Sequence, residues 1–311
     1  MSLTSELNKA LKTKEKKRSK YLFPIKDSTF RNKDLIEGIK VIFSKEVTMS
    51  KVTKKFEKIF SKKIKIPYSL MVNSGSSANL LATFAAGNPL RKNRFKLGDE
   101  VLIPVLCWST SLWPLVQFGL KPVFVDVDVK SLNVNINDLI SKISNRTKAI
   151  MLINVHGNSS DLFKIKKIAR KKNIILIEDN CEALGSKLKN KYLGTFGDFS
   201  TFSFFYSHQI TSGEGGMIVC HNDRDYEILF SLRSHGWLGG TRFYPRSLGI
   251  YKKYAKKNTN LDPRYIFVNS GFNVRPTDVQ AAIARNQFKR LNQLMSIRSK
   301  NKDLIIKNII G

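Results

Sequence analysis

The sequence predicts a three-layer α/β domain in which a mostly parallel β-sheet is covered by helices on both faces. Three observations carry this prediction. Seven short runs rich in β-branched and aliphatic residues recur between positions 68 and 220. The runs are apolar almost throughout instead of alternating, as strands buried on both faces are. Between them lie helical or loop patterns bounded by Gly, Asn and Asp, the arrangement of successive strand-helix units. At 311 residues and 42% hydrophobic content the chain can bury one large core, or a large domain and part of a second.

In chain order, residues 1–20 carry a lysine-rich run with little apolar periodicity and form an N-terminal arm or frayed helix. From Leu35 to Phe60 apolar residues recur at helical spacing through DLIEGIKVIF and KVTKKFEKIF, which predicts helices on the flank of a core. The strands are YSLMVN, EVLIPV, KPVFVDV, KAIMLINV, NIILIED, FSTFSFF and GMIVC, with SANLLATFAA and DLFKIKKIARKK among the intervening helices. After Arg233 the pattern weakens into a loop-rich stretch to about Asn269. A helix PTDVQAAIARNQFKRLNQL follows, with Pro276 acceptable in its first turn. The chain then stops at Gly311 within a basic helical pattern. The expected organisation is an arm at 1–20, a large domain at 21–275, and at 276–311 a helix leading into a truncated small C-terminal domain.

Composition narrows the function. No apolar run approaches the ~18 residues of a membrane span, and the polar, basic start lacks a signal-peptide core, so a cytoplasmic protein is expected. Cys107, Cys181 and Cys220 lie far apart with no CxxC spacing, which points to packed thiols and to neither a disulfide framework nor a metal site. The formal charge of +30 would favour nucleic acid on electrostatic grounds. Lysine, however, outnumbers arginine more than two to one and is spread along every segment with Asn and Ile, without a nucleic-acid motif. A general compositional bias explains it better, so no nucleic-acid partner is expected.

Ligands of such sheets collect beyond the carboxyl ends of the strands, and three segments there carry chemistry. Asn73-Ser74-Gly75-Ser76-Ser77-Ala78-Asn79 opens a helix whose small first residues let amides point at an anion, which suits a phosphate. A serine-capped helix is the plainer explanation of that segment alone. NIILIED ends in Asp179, with Glu182 three residues on. A carboxylate at a buried strand tip needs a partner, and a protonated pyridine nitrogen is suitable; a helix cap serves equally well. The third segment runs from Gly197 to Gly216: an apolar strand delivers Ser203, a turn presents His208, and a glycine-rich return leads to the next strand.

Taken together, SGSSAN, EDNCEALGS, FSFFYSHQITSGEGG and GFNVRPTDVQAAI resemble the DegT/DnrJ/EryC1/StrS sugar aminotransferase and dehydratase family of pyridoxal-phosphate enzymes, from about Tyr21 to the end. The resemblance implies the aspartate aminotransferase-like fold (fold type I), with pyridoxal 5'-phosphate or pyridoxamine 5'-phosphate as cofactor. Ordinary members hold the cofactor aldehyde through a lysine at the position of His208. An imidazole forms no stable bond of that kind, but it titrates near neutrality and can move a proton at the cofactor's C4′. The substitution is similar to the lysine-less 3-dehydratase branch, and Arg233-Ser234-His235-Gly236-Trp237 resembles the members acting on a GDP-linked 4-keto-6-deoxymannose.

The resemblance therefore implies C3 deoxygenation of a nucleotide-linked 4-keto-6-deoxy sugar in deoxysugar or lipopolysaccharide synthesis, with glutamate as amino donor. An aminotransferase and a non-catalytic cofactor-binding relative remain the alternatives. Position by position it implies that Asp179 pairs with the pyridine nitrogen and Glu182 approaches the ring's phenolic oxygen. Trp108 would stack on the ring, core filling being the other use of such a residue. Gly75, Ser76 and Ser203 would bind the phosphate, and Asn273 would reach the phosphate in the partner of a homodimer. His235 would contact substrate or order its loop.

Overall fold

Every predicted strand forms, and side-chain alternation along each strand sorts the helices into layers. The computed structural model describes residues 3–12, 30–48, 50–238, 249–258, 260–262 and 265–309. The strands are β1 (Tyr68–Val72), β2 (Glu100–Pro104), β3 (Lys121–Val125), β4 (Thr147–Ile153), β5 (Ile175–Asp179), a short hairpin of β6 (Lys187–Leu188) and β7 (Lys191–Tyr192), β8 (Phe199–Ser203) and β9 (Gly216–Cys220). The helices are α1 (Leu3–Lys12), α2 (Asn32–Phe43), α3 (Lys51–Ile64), α4 (Gly75–Ala86), α5 (Ser109–Phe118), α6 (Ile136–Ser141), α7 (Leu162–Lys171), α8 (Asp223–Arg233), α9 (Gly249–Lys257), α10 (Asp278–Phe288) and α11 (Leu291–Ile309).

Seven strands make one sheet in the order β1-β9-β8-β5-β4-β2-β3, with β5 in the middle. All pairings from β8 to β3 along that order are parallel, and β9 runs antiparallel to both β1 and β8. On one face Val72, Ile103, Ile175 and Ile177 pack with α4, α5 and α8. On the other, Met71, Phe202 and Met217 pack with α3 and α10, while Leu102, Ile150 and Leu176 pack with α7. Phe60 anchors the second face, stacked on Phe288 at 5.2 Å and edge-on to Phe202 at 5.1 Å between centroids. Burying each such ring contributes roughly 2–3 kcal/mol.

One expectation changes. The stretch after Arg233 holds α9, whose start is closed from afar: the Glu227 carboxylate accepts the amides of Ile250 at 2.9 Å and Tyr251 at 3.2 Å. Of the three cysteines only Cys220 is fully buried, while Cys107 and Cys181 are half-buried. The expected arm forms a helix over Leu3–Lys12, and the rest of 1–20 lies outside the described residues.

Helix α10 is fastened to α2 and α3 by buried charge. Asp34 takes both terminal nitrogens of Arg290 at 2.9 Å, and Asp278 accepts from Ser50 N at 2.9 Å, Thr53 N at 2.7 Å and Thr53 Oγ1 at 2.9 Å. Asp278 thus caps α3, whose own Ser50 makes no side-chain cap bond. Asp278 has no exposed surface, so Asp278→Ala leaves two amides buried without acceptors. Such donors cost about 1–3 kcal/mol each, and a loss of about 3 kcal/mol is expected in urea unfolding. A loss under about 0.5 kcal/mol would show that α10 does not hold α3.

Candidate active site

The start of α4, the start of α5 and the loop after β8 meet at the carboxyl end of β5. At α4, Ser74 caps the helix by accepting the Ser77 amide at 3.0 Å, as the plainer sequence explanation requires. Its next residue adds the capacity for a ligand. A Cβ on Gly75 would lie 2.5 Å from Ser203 Cβ and 2.9 Å from Cys181 Sγ, so only glycine lets the helix start approach β8 and the turn after β5. First-turn amides have no intrahelical acceptor and sit at the positive end of the dipole. Ser76 Oγ donates to Thr110 Oγ1 at 2.9 Å, and Ser203 Oγ accepts the Phe205 amide at 3.2 Å while keeping its own hydrogen to donate. Amides and hydroxyls here are the kind of donors that could hold a phosphate.

Asp179 is 5% exposed at the tip of β5. Its Oδ2 accepts from Asn79 Nδ2 and Ser111 Oγ, both at 2.7 Å, and its Oδ1 from the Cys181 amide at 3.0 Å. Asn79 is in turn oriented by Thr201 Oγ1, which donates to its Oδ1 at 2.6 Å. The carboxylate therefore acts as a local cap through one oxygen and gathers two helices through the other. All three donors are neutral, and among the described residues no cation is paired with it. A protonated ring nitrogen would complete such a site. Trp108, at the N-cap of α5, is 74% exposed, which excludes core filling and leaves its faces open.

Glu182 and His208 line one cleft of about 540 Å³ with His156, Arg298 and Lys302. Glu182 is exposed, and its Oε2 accepts the His156 amide at 2.8 Å with His156 Nδ1 3.4 Å away. Half-buried His208 sits in a loop strapped at both ends: Phe204 N donates to Gly215 O at 2.8 Å, Ser212 N to Phe204 O at 3.0 Å, and Thr211 N to Gln287 Oε1 at 3.0 Å. The His208 amide donates to Phe205 O at 3.1 Å, and Arg298 reaches its carbonyl at 3.4 Å. These bonds fix the backbone that presents the imidazole.

His235 and Asn273 belong to a neighbouring pair of segments. Ser234 and Asn273 form a bridge, and the His235 amide donates to Phe272 O at 2.7 Å. His235 has a left-handed backbone, φ 61°, and its ring lies 4.6 Å from that of Trp237. Beside it Gly236 is obligatory, since a Cβ there would lie 1.8 Å from Asn269 O. Val274 O accepts the Asn73 amide at 3.1 Å, which sets exposed Asn273 beside the entry to α4. Neither Asn273 nor His235 is bonded to Asp179, Glu182 or His208 among the described residues.

The motif pattern contains Asn79 as the last residue of SGSSAN without revealing its role, and it does not reveal Ser111, Thr110 or His156. Ser111 and Thr110 act from a helix far upstream of Asp179 and carry no local signature. His156 leaves one trace, the glycine after it: both take positive φ, 54° and 78°, in the turn after β4.

The family model described as the DegT/DnrJ/EryC1/StrS aminotransferase family matches residues 30–309. The chain is 39% identical over 284 residues to GDP-4-keto-6-deoxy-D-mannose 3-dehydratase of Escherichia coli, covering 91% of this chain and 72% of that one. With the protein of the same name from Yersinia pseudotuberculosis the identity is 40% over 282 residues, 90% of this chain and 70% of that one. A solved GDP-4-keto-6-deoxymannose 3-dehydratase variant with bound GDP-perosamine matches with a TM-score of 0.83 at 37% identity, over 92% of this chain and 72% of that one. With the same coverage and identity, the Escherichia coli enzyme with bound hydrated pyridoxal phosphate gives 0.82, and a structure holding a trapped pyridoxal phosphate-glutamate geminal diamine gives 0.83.

Replacing Trp108 separates a ligand-facing ring from a structural one. Trp108→Ala is expected to leave unfolding free energy within about 0.5 kcal/mol, because an exposed ring has little packing to lose. Pyridoxal phosphate retention, followed by equilibrium dialysis, should weaken about tenfold, the equivalent of a stacking contribution near 1.4 kcal/mol. Unchanged retention would remove Trp108 from the site.

Proposed function

The chain belongs to the DegT/DnrJ/EryC1/StrS aminotransferase family, and we propose that within it the protein is a pyridoxal-phosphate-dependent 3-dehydratase of GDP-linked 4-keto-6-deoxymannose. The observation that carries this is His208, held where ordinary members have the cofactor's lysine, beside an intact set of residues suited to the cofactor. Exposed Trp108, for which the fold has no packing use, counts against a decayed, non-catalytic relative.

The residues fit the cofactor by their donor chemistry. Gly75, Ser76 and Ser203 would hold the phosphate in the cradle at the start of α4, and Asp179 would keep the pyridine nitrogen protonated. Trp108 would cover one ring face and keep water from it. Glu182, fixed by the amide of His156, would approach the phenolic oxygen. When bound, the cofactor supplies an electron sink joined to C4 of the sugar, so that proton loss at its C4′ is linked to departure of the C3 hydroxyl.

His208 moves the proton at C4′, and its imidazolium is a fitting acid for the departing hydroxyl because its ordinary pKa lies near neutrality. The strapped loop holds that imidazole without the covalent tether a lysine would provide. Glutamate serves as amino donor in this reading. Exposed Asn273 would serve the phosphate of the partner in a homodimer, and His235 would order the segment that presents it or touch the sugar. The reaction is placed in the cytoplasm.

The test supplies the holoenzyme and glutamate with 4-keto-6-deoxy sugars on GDP, CDP and dTDP and follows sugar mass and ammonia release. C3 deoxygenation with the GDP substrate is expected. His208→Asn should lower it by about a thousandfold, within the usual worth of a positioned acid-base group, while cofactor binding persists. Transfer of an amino group to the sugar by the unaltered protein would replace this reading with an aminotransferase.

A further inference from the structure

The sheet sets three loops side by side at its carboxyl end. Strands β4, β5 and β8 are parallel neighbours, with Ile153 paired to Asp179 and Asp179 to Thr201. Glu182 follows Asp179 by three residues and His156 follows Ile153 by three, so the two turns meet. Gly157 shows how closely: a Cβ there would lie 2.7 Å from Ser186 Oγ, in the turn that carries Glu182. Gln209, next to His208, donates through Nε2 to the Glu182 carbonyl. The backbone of Glu182 is thus tied to the His208 loop, and its carboxylate is left to the turn after β4.

In that turn one residue does the holding. The His156 amide donates to Glu182 Oε2 at 2.8 Å, and His156 Nδ1 lies 3.4 Å from the same oxygen. With a proton on Nδ1 the imidazole is a second donor. Among the described residues no other group bonds this carboxylate, and the cleft cations Arg298 and Lys302 are not paired with it. Asp179, by contrast, takes its three donors from three residues. Packing gives no reason for the ring, since the His156 side chain is 75% exposed, in the cleft that His208 also lines. Its backbone is left-handed, φ 54° and ψ 20°. Residues other than glycine hold that conformation mainly where the surroundings impose it, often at active sites and ligand clamps. A glycine would take this backbone without strain and keep the amide bond to Glu182. The imidazole is therefore the part that the turn itself does not need.

We propose that the His156 imidazole is a positioning group of the cofactor site: with its own amide it holds Glu182 Oε2, so that Oε1 is left for the cofactor's phenolic oxygen. Hydrogen bonds to an ionised acceptor are roughly twice as strong as neutral ones, so a second donor restricts a half-exposed carboxylate that one amide leaves free to swing. His156 acts through Glu182 and moves no proton of the substrate.

The proposal rests on the cofactor reading above, and its first readout is the absorption band of pyridoxal phosphate bound at saturation, which moves with the charge on the phenolic oxygen. His156→Gly removes the ring and keeps the amide, whereas His156→Asn tolerates the same backbone and restores a short donor. His156→Gly is expected to shift the band in the same direction as Glu182→Gln. It should also lower kcat for the GDP sugar about tenfold at unchanged KM, within the coupling usual for residues in contact. His156→Asn should recover most of both effects. In a Glu182→Gln background the loss of the ring should change kcat less than about twofold and leave the band in place. Thermal unfolding confirms that each variant is folded. A band and kcat unmoved by His156→Gly would overturn the proposal, as would equal losses in both backgrounds, because the ring would then act apart from Glu182. Absence of any cofactor band in the unaltered protein would overturn the cofactor reading itself, and this proposal with it. If the unaltered protein binds cofactor but does not turn over the sugar, the reaction assigned above fails and the band alone decides the role of His156.

Discussion

The structure depends on two adjacent carboxylates at the tip of the central strand. Strand alternation sends Glu178 and Asp179 to opposite faces of β5. Glu178, without exposed surface, collects the amides of Gly194 at 3.0 Å, Phe196 at 2.7 Å and Gly197 at 2.6 Å, together with the Ser200 hydroxyl at 3.2 Å. It thereby ties the turn leading into β8 to the strand beside it. Asp179 gathers α4 and α5 on the other face. One residue positions the strand that delivers Ser203 and the loop of His208, and the next positions the helix starts that form the anion cradle. A one-residue slip of β5 would exchange the two faces and dismantle both.

The fold thus assembles the site from places where elements begin or end. Backbone amides are unpaired there, and the chain can turn. Gly75 permits two such places to touch, and the straps at Phe204, Thr211 and Ser212 hold the loop between them. The contrast between Asp179 and His208 is physical. The carboxylate is immobilised by three donors and suited to a standing charge, whereas the half-buried imidazole lies on a cleft wall where protons can come and go.

Much of this was legible in the sequence, for different reasons. The seven strands were readable because burial on both faces makes each run apolar. The antiparallel direction of β9 and the helix α9 were not, since one is set by partners distant in the chain and the other by the remote Glu227. At the site, Gly75, Ser76, Asp179, Glu182 and Ser203 stand in ordered motifs. What orients them is not legible: Asn79, although it closes SGSSAN, and Ser111 reach Asp179 only through the packing of α4 and α5 on β5. Through the resemblance Trp108 reads as stacking on the cofactor ring, with core filling as the lesser alternative. Its 74% exposure decides between them.

The central claim is that His208 moves a proton at the cofactor's C4′ in place of a lysine. The most direct measurement loads the protein with pyridoxamine phosphate deuterated at C4′, adds the GDP-linked 4-keto sugar in ordinary water, and follows deuterium at C4′ by mass spectrometry. The account predicts rapid loss of deuterium in the unaltered protein and none above background in His208→Asn, with the cofactor still bound. Washout at an unchanged rate in His208→Asn would contradict it and assign the proton to another group.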